Sequence, residues 1–195
     1  MIIGHPMERE VLELSSRDAW EQWLAENHAS SPGVWLRLGK KSAPAPTLTY
    51  PEALEEAIRH GWIDGQRRSG DQHSYLMRFT PRGPRSQWSQ INRDKAAALI
   101  AEGRMTPAGL AQVNAAQADG RWERAYEPQS RASVPEDFRR ALDGNPAARE
   151  FFESLTGARR YAFLYRLHQA RRPEARAKRI ATYLELLSAR RTLHD

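Results

Sequence analysis

Every stretch that alternates apolar and polar residues lies before residue 81, and every long stretch from Ser89 onward has helical spacing. That division constrains the fold more than any single motif. Glu10–Leu14, Gly33–Leu38, Trp62–Gln66 and Ser74–Thr80 read as short strands, the last two as an antiparallel pair. Two helices lie among them. One follows Ser15 or Ser16 with Trp20, Trp23, Leu24 and His28 on one face. The other is opened by Thr49-Tyr-Pro-Glu52, which has capping-box spacing, and it turns Ala53, Leu54, Ala57 and Ile58 inward. Four early strands are too few for a doubly wound sheet. The expected class is α+β, a small, mostly antiparallel sheet of about four strands with packed helices, followed by a helical C-terminal part.

The helical part has its own punctuation. Ser89–Glu102 presents Ile91, Ala96, Leu99 and Ile100, and Thr106-Pro107 opens Pro107–Ala118. Gly120–Tyr126 is a connector carrying Trp122. Ser133-Val-Pro-Glu136 repeats the capping-box spacing, and Asn145-Pro146 caps the next helix. Ala158–Gln169 and Pro173–Arg191 complete the chain, with Ile180, Tyr183, Leu184 and Leu187 as the inward stripe of the last helix. Lys40–Pro46 reads as a Pro/Ala/Ser loop. Glu127–Ser133 is polar and turn-rich, which suggests an α+β domain over 1–126 and a helical module over 134–195.

Composition removes several chemistries. With no cysteine there is no disulfide, thiol nucleophile or Cys-ligated metal. The six histidines (5, 28, 60, 73, 168 and 194) have no metal-type spacing, so neither a metal nor another cofactor is expected. The Ser-nucleophile, phosphate-loop, dinucleotide and deaminase motifs are missing. No apolar run approaches the ~20 residues of a membrane span. Met1–Glu10 lacks a basic-then-apolar leader, so the expected address is cytoplasmic.

Charge is uneven. Seven arginines against two aspartates fall between Arg59 and Arg93, and ten basic residues against two glutamates fall between Arg159 and Arg191, leaving an acidic remainder in a chain of net charge +6. Such blocks suit an anionic partner, although arginine on solvated helix faces gives the same count. The last helix carries Arg172, Arg176 and Arg179 beside its apolar stripe.

The densest cluster of unusual residues is the corner between Gly61 and Arg93. Two prolines and a glycine fix a loop carrying Arg82 and Arg85 just before a helix, with Ser86 and Ser89 supplying hydroxyls and a cap. A helix start flanked by arginine and serine suits an anion. In this reading Arg78, Arg82 and Arg85 hold the anionic group, Trp62 and Trp88 pack a flat face, and Asp64 orients the ligand or a water. Tyr75, Ser86, Ser89 and Asn92 complete the set. The same residues also fit a purely structural corner, with Asp64 paired to Arg78 or Arg82, Trp88 a core anchor and Ser89 only a cap. Asp64, with Tyr75, is the one acid–base candidate, which does not define a reaction.

The strings G-W-I-D-G-Q (61–66), F-T-P-R-x-P-x-S-x-W-S-x-I-N (79–92), L-I-A-E-G-R-M-T-P-A-G (99–109) and D-G-R-W-x-x-A-Y (119–126) resemble the YdeI/OmpD-associated family of bacterial proteins. V-P-x-D-F-x-x-A-L (134–142) and R-x-E-A-R-A-K-R-I (172–180) resemble its C-terminal bacteriocin-protection module. The resemblance runs from about Tyr50 to about Leu187, with Ala175 where the pattern leads one to expect a capping Thr. It implies protection against bacteriocins or antimicrobial peptides and supplies no catalytic residues or cofactor. A link to an outer-membrane porin is not carried over, because no leader is expected from Met1–Glu10. The leading expectation is a cytosolic stress or antimicrobial-protection protein binding an anionic or aromatic small molecule or peptide. The alternatives are a nucleic-acid-binding accessory factor and an enzyme using Asp64.

Overall fold

In a computed structural model of the chain, described over residues 11–43 and 47–193, the first helix begins where Ser16 accepts the Ala19 N–H on its hydroxyl. This helix, α1 (Arg17–Asn27), joins β1 (Val11–Leu12) to β2 (Val34–Gly39). Parallel neighbours need such a crossover, and β1 and β2 are parallel. The rest of the sheet is antiparallel: β2 pairs with β4 (Ser74–Pro81), and β4 with β3 (Trp62–Ser69), in the order β1-β2-β4-β3. The sheet is therefore mixed. The first strand is shorter than its alternation suggested, and Glu10 lies outside the described residues, as do residues 44–46 of the expected loop.

Thr49 donates both its backbone N–H and its hydroxyl to Glu52 at the start of α2 (Tyr50–Arg59). Helices α1 and α2 cover one face of the sheet. Trp20, Leu24, Ala53 and Ala57 meet Val34, Leu36, Leu38, Trp62, Met77 and Phe79 there in a single core. A second core forms behind α2, where Leu54 and Ile58 meet Trp88, Ala96, Leu99, Val113 and Ala116 of the segment holding α3 (Gln90–Ala101) and α4 (Pro107–Ala118). Thr106 caps α4 and also donates to the Arg59 carbonyl, tying α4 to the end of α2.

The described chain divides into two compact units. One holds the residues up to Trp88 with Asn92–Ala125, and the other holds Ser89–Ile91 with Tyr126 onward. The second unit contains α5 (Glu136–Asp143), α6 (Pro146–Ser154), α7 (Gly157–Gln169) and α8 (Pro173–Ser188). Its core is Phe138, Leu142, Phe152, Phe163, Leu167, Tyr183 and Leu187. Asn145 caps α6 as its position suggested. Ser133 does not cap α5: the helix starts at Glu136 after Pro135, and Ser133 instead donates its N–H and hydroxyl to Glu127. Glu127 engages both Ser133 donors, and Pro135, with ψ 144°, is still outside the helical region, so the cap position falls two residues later than expected. Helix α8 stops at Ser188, short of Arg191.

Candidate functional site

The side chains of β2 alternate between the two faces of the sheet. Val34, Leu36 and Leu38 enter the core, which sends Trp35 and Arg37 to the other face. Across the ladder Trp35 sits opposite Arg78, and Arg37 opposite Leu76. On β3 the parity is reset by an irregularity between Asp64 and Arg67. Asp64 pairs with Phe79 and Arg67 with Met77, both core-facing, although the two are three residues apart. The extra residue of a bulge does this, and it carries Arg68 onto the face of Trp35.

Arg68 lies over the Trp35 ring, its guanidinium carbon 4.2 Å from the centroid. Trp35 is 1% exposed, and its Nε1–H is buried without a hydrogen-bond partner. Arg68 is exposed and pairs with no carboxylate among the described residues. Arg78 is half-buried and donates to the Pro32 carbonyl. Arg37 is neutralised, donating to Glu13 at 2.8 Å, to Asp71 at 3.5 Å and to the Ser74 hydroxyl at 2.9 Å. The Asp71 carboxyl is held below the usual range chiefly by the His73 N–H it accepts. On this face the Arg68 guanidinium covers a buried Trp35 ring and indole N–H, and Arg78, itself hydrogen-bonded, stands across the ladder.

The ten residues singled out in the sequence do not converge on one site. Trp62 is 1% exposed, donates to the His28 carbonyl and packs edge-on against Trp20 and Trp23. Trp88 is equally buried in the second core, edge-on to Trp122. The two tryptophans anchor different cores, and neither is a wall of an open pocket. Asp64 accepts the Tyr50 hydroxyl at 2.9 Å, not an arginine. Tyr75 packs against the first core beneath Arg67, 4.1 Å away, and burial pushes its hydroxyl pKa up.

Arg82 is folded inward at 5% exposure. It stacks on Trp88 at 3.5 Å and donates to the Gln87 carbonyl. Ser86 accepts the Gly83 N–H on its hydroxyl and the Arg121 guanidinium on its carbonyl. Arg85 alone of that loop's arginines is exposed. Ser89 and Asn92 are buried around the start of α3. Of the ten, Arg78 belongs to the outer sheet face. Trp35 and Arg68 were not singled out. The phase of G-V-W-L-R-L puts Trp35, with Arg37, on the side away from the core, whereas nothing local in the sequence places Arg68 there.

In the C-terminal unit the expected basic stripe is partly consumed. Arg176 forks onto Asp137 and also donates to the Leu167 carbonyl. The Arg176 guanidinium lowers the Asp137 pKa and is itself shifted up by it. Between α7 and α8 is a groove of about 650 Å³.

Residues 12–112, just over half of the chain, match a family described as a domain of unknown function (DUF8412). Residues 131–190 match the family described as bacteriocin-protection, YdeI or OmpD-associated. The chain belongs to the DUF8412 family and carries a YdeI/OmpD-associated domain. No curated protein and no solved structure matches it. The YdeI/OmpD-associated match takes in 134–142 and 172–180, whereas the strings from Gly61 to Gly109 fall within the DUF8412 match. The outer sheet face thus lies in the DUF8412 domain and the α7–α8 groove in the YdeI/OmpD-associated one.

Proposed function

We propose that this YdeI/OmpD-associated protein acts in stress or antimicrobial protection by non-covalent capture of a flat anionic compound on the outer face of its sheet. The observation that carries the reading is Arg68 stacked on Trp35, whose buried N–H lacks an acceptor, with Arg78 directly across the ladder from Trp35. A buried donor without a partner costs about 1–3 kcal/mol. A carboxylate or phosphate oxygen that draws Arg68 off the ring supplies that acceptor and gains a charge-assisted bond from the guanidinium. The aromatic part of the ligand then takes the place of Arg68 on the indole.

Thermal-shift and calorimetric titrations at low salt with aromatic carboxylates and nucleoside monophosphates test this. At least one class is expected to raise Tm. Arg68→Ala and Arg78→Ala should each weaken its binding roughly tenfold, the effect of losing a hydrogen bond to a charged group. Trp35→Phe keeps a ring but loses the N–H, and should weaken it less. If no anion stabilises the protein, or the Arg68→Ala/Arg78→Ala double variant binds as well as wild type, the reading fails.

A further inference from the structure

The groove between α7 and α8 is lined along α8 by Ala175, Lys178, Arg179 and Thr182, one helical stripe at i, i+3, i+4 and i+7. Arg166 faces them from α7. None of the described lining residues is acidic. Lys178 and Arg166 are exposed, and neither side chain makes an ion pair or hydrogen bond among the described residues. Arg179 is held by one nitrogen to the Arg166 carbonyl at 2.5 Å, which fixes its position and leaves its other donors available. Like charges gathered in a concavity repel one another, so the arrangement stores unfavourable energy that an anion would release.

A second observation points the same way. Tyr183 also lines the groove and is 4% exposed, yet its hydroxyl makes no hydrogen bond among the described residues. Its ring is clamped edge-on by Phe163 and packs on Phe138, so the hydroxyl is pre-positioned by the core. Ala175 keeps the stripe open. It is not a cap position, because α8 is entered through Arg172 and Pro173.

We infer that this groove is a binding site for a small ligand carrying a chain of two or more phosphoryl groups. Three cations with no counter-charge among the described residues match a tri- or tetra-anion better than a single carboxylate. A volume of about 650 Å³ is within the range of small-molecule sites, and the concavity suits a compact phosphate chain rather than a duplex. Lysine and arginine grip its oxygens, and the Tyr183 hydroxyl donates to one of them. The site is separate from the sheet face, and neither depends on the other.

The test uses the whole chain and inorganic tripolyphosphate in about 50 mM salt, where phosphate contacts are strong. Saturable binding of one tripolyphosphate per chain is expected. Arg166→Ala and Lys178→Ala should each weaken it roughly tenfold or more, and Tyr183→Phe a few-fold. Arg131→Ala, an exposed charge elsewhere on the unit, should leave it unchanged. Far-UV ellipticity checks that each variant is folded. Absence of saturable binding, or undiminished binding in the folded Arg166→Ala/Lys178→Ala double variant, overturns the inference. So does a short DNA duplex that binds through these residues and is not displaced by tripolyphosphate.

Discussion

Glu56 has no exposed surface, yet it lies on the helix whose inward residues were read as Ala53, Leu54, Ala57 and Ile58. Its carboxylate accepts Arg17 Nε at 2.6 Å and Arg59 Nη1 at 2.5 Å. Arg59 also reaches Glu21 and the Arg104 carbonyl. Breaking a buried, bridged charge strands its partners and typically costs about 3–5 kcal/mol. Glu56→Gln keeps the shape but not the charge, and is expected to lower stability by about 3 kcal/mol, read as a shift in the urea midpoint. Neighbouring Glu55 is 25% exposed and pairs with partly exposed Arg17 and Arg104, so Glu55→Gln should cost about 1 kcal/mol or less. Comparable losses for the two variants would contradict this account. Nothing local marked Glu56 as interior. Glutamate is rarely buried unless paired; Arg59 is one turn on in the same helix, but the second partner, Arg17, comes from α1.

Gly109 lets the start of α4 approach the end of α2. A Cβ there would stand 2.2 Å from the Arg59 carbonyl oxygen and 2.4 Å from the Met105 sulfur. Gly109→Ala should therefore cost at least about 2 kcal/mol, because the carbonyl already serves Thr106 and cannot move freely. Gly103 has φ +67° but no neighbour within 4 Å, so Gly103→Ala should cost only about 1 kcal/mol, the left-handed backbone penalty. Thermal unfolding of the pair decides, and an equal loss would remove the steric argument. Elements of this kind were legible where their signals are local. Thr106 and Asn145 cap helices as written. Strand β4 falls where its alternation put it, whereas β3 runs on to Ser69 instead of ending at Gln66, which makes Arg67 and Arg68 strand residues; the class is α+β as read. The bulge before Arg67 was not legible, because it becomes visible only against the partner strand. It decides which arginine meets Trp35, so that part of the site was hidden too. The basic run through Arg67, Arg68 and Arg78 was visible as charge but not as geometry.

All six tryptophans (20, 23, 35, 62, 88 and 122) belong to the first unit, so indole fluorescence reports that unit, whereas far-UV ellipticity reports both. This separation makes an acid titration interpretable. His60 ends α2 at 6% exposure, with Nδ1 on the Glu56 carbonyl and its ring 5.7 Å from His28. Burial, then Arg59 and His28, pushes its pKa below the ordinary 6.5. The unfolded chain therefore binds this proton first. Stability is fully present above pH 6.5 and declines as pH falls from there through the folded-state value. In the second unit the Asp137 pKa is held below 3.8 by Arg176, so its contribution is present above 3.8 and lost only at lower pH. Fluorescence-monitored urea midpoints should fall between pH 7 and pH 5, and His60→Asn should flatten that fall. Asp137→Asn should leave the fluorescence midpoint's pH dependence in this window unchanged and lower the ellipticity midpoint at both pH values. A His60→Asn variant with the wild-type slope would show that the proton is taken up elsewhere in the first unit, and would remove His60 from the account.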